Sequence, residues 1–200
     1  MALRANRFHR SMLRICATLV LVVFVGCATA PKTEPPKSED AALAIRNQGY
    51  ALLYKLMSDE KNLSKLLLIK KEQADLGELI KRISKVSGEA AEGLEKFSKA
   101  DGHLHLELDG LPAIEKEVRD SIGKTRAKEL ISKGGQKFEL RVLLTQSEAL
   151  TYGAHLAAVL QGHESDEARR KFLAETSQRL QELHQGVIDL MHTRWDTPAR

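Results

Sequence analysis

The sequence predicts an all-α protein: an antiparallel bundle of four long core helices braced by a further N-terminal helix. Two observations carry this. Apolar residues return at alternating steps of three and four over long stretches, a spacing that β-strands do not produce, and glycine or polar clusters interrupt these stretches at helix-like intervals. The composition agrees, since 42% hydrophobic and 29% charged residues in a chain of 200 suit one globular domain that needs no disulfide or metal to hold it.

The first helix runs through the broad apolar face of Leu43 to Met57, with Ile45, Leu52, Leu53 and Leu56 facing inward. Ser58 to Asn62 is polar and breaks it, Ser58 or Asn62 capping the next helix. The second helix, about 62–100, carries the longest seam: Leu66, Ile69, Gln73, Leu76, Ile80, Ile83, Ser87, Ala90, Leu94 and Phe97. Gly77, Gly88 and Gly93 each cost this helix about 1 kcal/mol relative to Ala, and Gly88 is where a kink or break could form, although the heptad steps pass through it unchanged. Asp101-Gly102 ends it. Pro112 suits the start of the third helix, whose inward side is Ile114, Val118, Ile122 and Leu130. Gly134-Gly135 separates this from a fourth helix with the stripe Phe138, Val142, Thr145, Ala149, Tyr152, Leu156 and Leu160. Gly162 closes that helix. Ser165 caps the fifth, where Asp166 and Glu167 favour the positive end of the helix dipole, and Leu173, Thr176, Leu180, Leu183, Val187 and Leu190 form its seam. Gln73, Ser87, Thr145 and Thr176 read as polar layers that set register, and Trp195 as a residue folding back to close the bundle.

The bundle begins near residue 41. Ahead of it, residues 28–40 (ATAPKTEPPKSED) hold three of the five prolines and no large apolar side chain, the composition of an extended linker. Arg4, Arg7, Arg10 and Arg14 precede the uncharged run Ile15 to Gly26, too short at about 18 Å to cross a bilayer core of about 30 Å but suited to the hydrophobic region of an export signal. The run ends in Phe24-Val25-Gly26-Cys27. These residues resemble a bacterial lipoprotein signal with its lipobox, Phe24 standing where Leu is usual. The resemblance implies cleavage between Gly26 and Cys27, removing residues 1–26, and acylation of Cys27, so that residues 27–40 tether the domain 41–200 to a membrane through several acyl chains. Ala28 after the cysteine implies outer-membrane sorting, with the bundle facing the periplasm.

Charge follows from this processing. The full chain has 31 Lys+Arg against 27 Asp+Glu and a net charge of +4. Loss of the four signal arginines leaves 27 of each, so the basicity belongs to the signal and gives no support to nucleic-acid binding. With Cys16 removed and Cys27 acylated, thiol chemistry and Cys-ligated zinc are excluded.

The strongest candidate for chemistry is His103-Leu104-His105-Leu106-Glu107-Leu108. In an extended segment alternate side chains share a side, so His103, His105 and Glu107 form a candidate set for one divalent metal such as zinc, while Leu104, Leu106 and Leu108 cover the bundle end. The plainer alternative is an amphipathic cap with solvated histidines. A carboxylate-bridged di-metal centre needs two Glu-x-x-His motifs, and none occurs; Asp189 and His192 have the spacing once, and Glu148 and His155 share only a helix face. Nucleophile elbows, phosphate-binding glycine loops and haem-attachment motifs are absent from the sequence. The expected function is a non-enzymatic, membrane-anchored module that binds a protein partner in the envelope and requires no cofactor, the alternative being a metal- or small-ligand-binding bundle.

Overall fold

The computed structural model describes residues 39–68, 73–132 and 134–195. Every regular element among them is helical: α1 (Glu39–Glu60), a 3-10 helix (Leu63–Leu68), α2 (Ala74–Ala100), α3 (Ala113–Ser132), α4 (Gly135–His163) and α5 (Glu167–Trp195). Cys27, Gly26 and the rest of residues 1–38 lie outside the described residues.

Four of the helices enclose one core. Tyr50, Leu53 and Met57 of α1 are completely buried, at the spacing that places them on one face. They meet Leu76, Ile80, Ile83 and Leu94 of α2, Val142, Leu143 and Leu150 of α4, and Leu173, Leu180 and Val187 of α5. Side-chain pairs fix the directions. Tyr54 donates to Glu95 and Ser84 to the Glu60 carbonyl, so α1 and α2 are antiparallel. Ser147 pairs with His184 and Ser177 donates to the Ala154 carbonyl, which makes α4 and α5 antiparallel. Arg179 pairs with Glu89 and Arg194 with Asp75, and α2 and α5 are antiparallel in turn. Gly49 lies against Leu160 and Gly153 against Met57, which closes the ring through an antiparallel α1 and α4.

This ring makes α2 and α4 diagonal and parallel, so the chain must travel the length of the bundle between them. Helix α3 is that return path. It lies outside the ring, packing through Leu130 and pairing Arg126 with Glu148 and Arg141 with Glu129. The expected division of labour is therefore corrected: α1 is a full core member and α3 the outlying helix. Ile114, Val118 and Ile122, expected to face inward, are 69%, 46% and 46% exposed. Ile45 of α1 is also exposed.

The seams of α2 and α5 hold through their central parts, but Gln73, expected as an inner polar layer, is exposed ahead of α2, Leu66 belongs to the 3-10 segment, and Ile69 lies outside the described residues. Residues from Leu76 to Leu94 and from Leu173 to Val187 are buried at the expected steps, and α2 passes Gly88 without a break. Its α-helical part starts at Ala74, later than expected, after the 3-10 segment. On α4 the buried line is Val142, Gln146, Leu150, Gly153, Ala157 and Leu160, one residue displaced from the predicted Thr145, Ala149, Tyr152 and Leu156. Gly153 explains the displacement. A Cβ there would stand 2.9 Å from Leu56 Cδ2 and 3.1 Å from Leu180 Cδ1, so the missing side chain admits α1 and α5 to the same spot. At the start of α5 the Asp166 carboxylate accepts the Arg169 amide at 2.8 Å, which makes Asp166 rather than Ser165 the cap.

Candidate functional site

Polar chemistry gathers at four places. At one end of the bundle Glu164, which follows the last turn of α4, is fully buried. Its carboxylate accepts the Tyr50 hydroxyl at 2.6 Å, Arg169 Nε at 3.0 Å and Nη2 at 3.1 Å, and the Asp166 amide at 3.0 Å. Arg169 also reaches Asp101 at 2.9 Å, and Arg46 stands 3.8 Å from Asp101 and 3.9 Å from Glu164. Burial by itself raises the Glu164 pKa, but Arg169, Tyr50 and the Asp166 amide outweigh it and hold the carboxyl down at about 2. Tyr50 is driven the other way, by burial first and then by the anionic partner that accepts its proton. A permanent carboxylate beside a phenol that does not ionise is poorly suited to proton transfer near neutrality. The cluster ties α1, α2, α4 and α5 together.

The second place is the only partly buried carboxyl driven toward neutrality among the described residues. Glu60, at the end of α1, is raised to about 7 chiefly by burial, with Asp59 adding to the rise while the Gln146 side chain and Arg126 oppose it. Gln146 is buried and its Oε1 has no hydrogen-bond partner. Ser87, fully buried on α2, also leaves its hydroxyl oxygen unpartnered.

Third, Ser147 Oγ and His184 Nε2 lie 3.0 Å apart across α4 and α5. Sequence reasoning missed this pair because its members are 37 residues apart and no motif marks them. Both sit inside helices, where backbone N–H groups are committed to the carbonyl four residues back, so no amide pair beside Ser147 is free to receive an oxyanion.

Fourth, the loop after α2 alternates as expected. Leu104 is buried and Leu106 and Leu108 are half-buried, whereas His103, His105 and Glu107 are exposed. The loop is held by Ser98 donating to the Leu104 carbonyl at 2.7 Å and Asn47 donating to the His103 carbonyl at 2.7 Å. His105 and Glu107 line an open groove with Asn47, Gln48 and Asp109, a groove His103 does not share. Among the described residues no three His, Cys, Asp or Glu side chains come together as a metal-binding group.

A different surface was not anticipated at all. The uncovered side of α3 faces α4 across a groove of about 360 Å³, with Ser121, Ile122 and Thr125 on one wall and Leu144 and Thr145 on the other. Of the sites described, this combines exposed large apolar residues with space to receive another side chain. No protein-family model, curated protein or solved structure matches the chain.

Proposed function

We propose that this protein is a lipid-anchored lipoprotein of the bacterial envelope whose helical bundle is a non-enzymatic module for binding a protein partner. The observation that carries the partner reading is α3 itself. It is a helix with Ile114, Val118 and Ile122 spaced four apart on one side and open to solvent, while the charged groups of the bundle ends are consumed by one another. Helix faces of this kind dock amphipathic partners. The anchor rests on Arg4 to Arg14, the uncharged run and Phe24-Val25-Gly26-Cys27, together with a proline-bearing linker that lets the domain stand away from the bilayer. Among the described residues no helix is long and apolar enough to cross a membrane.

Two measurements test the two halves. Radiolabelled palmitate should enter the full chain and fail to enter Cys27→Ser; incorporation that persists in that variant overturns the anchor. A photo-crosslinking amino acid at Val118 should give a discrete adduct in cell envelopes, whereas the same group at the exposed Lys116 should not. Equal adducts at both positions, or none at Val118, overturn the docking surface.

A further inference from the structure

Among the described residues, the ion pairs that join α3 to α4 lie in the C-terminal half of α3. Arg126 with Glu148, and Arg141 with Glu129 at 3.2 Å, tie its C-terminal half to the beginning of α4. The connection is Gly134-Gly135, and Gly135 has φ of +55°, a left-handed conformation that glycine adopts without strain. The remaining half carries the exposed apolar stripe, and α4 carries a second one: Tyr152 is 43% and Val159 60% exposed.

The ion pairs fix how the two stripes relate to within one helical turn. In an antiparallel pair of equal rise, each residue backward along one helix is matched by one forward along the other. Counted from Arg126 and Glu148, Ile122 stands opposite Tyr152, Val118 opposite Leu156 and Ile114 opposite Leu160; counted from Glu129 and Arg141, the partners fall one turn earlier, at Glu148, Tyr152 and Leu156. Val118 is therefore matched to the turn from Tyr152 to Leu156, and Ile114 to the turn from Leu156 to Leu160, which includes Val159. Glu148, Tyr152, His155 and Val159 share one face of α4 by the same helical periodicity. Two exposed stripes on adjacent helices therefore lie in step, continuing past the groove that Ile122 and Leu144 line beside the ion pairs.

We propose that α3 is a strap that closes onto α4, seating Ile114 against Val159 and Val118 against Tyr152 and His155, and so covers the stripe that a partner would use. That last consequence rests on the docking reading above; the closure does not. Removal of these side chains from water drives it. The motion is small, because Gln48 donates to the Gly110 carbonyl at 3.5 Å near the other end of α3, which leaves the helix to roll between two fixed points. A partner that binds only the open arrangement and a strap that favours the closed one compete by their difference in free energy.

The test uses the full chain with Cys16→Ser and Cys27→Ser, purified without any partner. Under mild oxidation the pair Ile114→Cys with Val159→Cys should form its disulfide roughly tenfold faster than the out-of-step pair Ile114→Cys with Tyr152→Cys, whose Cα atoms stay too far apart in the closed register. Equal rates, or no disulfide in the first pair, overturn the closure. A readout on the native cysteine pattern guards against altered folding: Val118→Asp should raise hydroxyl-radical labelling of Tyr152 at least about twofold by holding the strap open. Unchanged Tyr152 labelling overturns the proposal. Since no partner is present, this failure would leave the docking surface standing, just as a failed Val118 crosslink in envelopes would leave the closure standing.

Discussion

Arg169 and Arg194 stand at opposite ends of α5 and make the same kind of bridge. Arg169 joins Asp101 at the end of α2 to the buried Glu164 that follows α4, at 2.9 and 3.0 Å. Arg194 joins Asp75 at the start of α2 to the buried Glu139 at the start of α4, at 2.5 and 3.5 Å. Each arginine sits where helix ends leave unpaired backbone groups and where neighbouring helices fray. The bundle is thus closed at both ends by one helix holding its two neighbours.

The first of these bridges should dominate acid stability. The Glu164 pKa is depressed from an ordinary 4.5 to about 2, so its contribution is complete above about 4.5 and is lost as pH falls through 2. A depression of that size corresponds to about 3 kcal/mol. Glu164→Gln should therefore lower the stability at pH 7 by about 3 kcal/mol and flatten the acid limb, read from urea midpoints between pH 2 and 7. An unchanged acid limb in the variant would contradict this role.

Glu60 works in the opposite sense. Its pKa is raised from 4.5 to about 7, so the stability associated with its neutral form is full below 4.5 and declines as pH rises to 7. With Glu164 the two groups produce a stability maximum near pH 4.5 to 5. Glu60→Gln should remove the decline on the neutral side while leaving the acid limb intact, and a carboxyl resonance titrating near 7 in the wild type, absent from the variant, identifies the group.

Gly153 sets the separation of three helices. A β-branched side chain there meets Leu56 and Leu180 before any rotamer is chosen. Gly153→Val should destabilise by about 2 kcal/mol through overpacking, whereas Gly153→Ala should be nearly neutral, its gain in helix propensity of about 1 kcal/mol offsetting the displacement of the Leu56 methyl. Thermal unfolding of the two variants separates them.

Leu104 and the histidines beside it should part company on mutation. Leu104 is 1% exposed, so Leu104→Ala should cost about 3 kcal/mol. The exposed His103→Ala and His105→Ala should change stability by no more than about 0.5 kcal/mol. A rise in the thermal midpoint of the wild type on adding zinc, absent from both histidine variants, would support the metal alternative.

Much of the helical layout was legible in residues alone because heptad spacing is a local property. Leu76 to Leu94 and Leu173 to Val187 were readable as buried faces, and Leu104, Leu106 and Leu108 as a cap, since a fixed period assigns a side chain to a side. The stripe on α4 differs by one residue from the one its periodicity predicts because Gly153 and Gln146 have no apolar signature, although the first admits side chains of two other helices and the second is buried. Ser147 and His184 carry no spacing rule, and Glu60 looked like any glutamate after a helix.

The sequence by itself determined the helical class, the order of the helices, and the segment whose pattern resembles a lipoprotein signal, because each depends on neighbours within a few turns. Which helix belongs to the core and which lies outside it was decided only by the tertiary structure. Ile114, Val118 and Ile122 have the same spacing as a buried seam, yet the ring of α1, α2, α5 and α4 is complete without them. A helix that must carry the chain back along a full bundle finds its apolar side left outside.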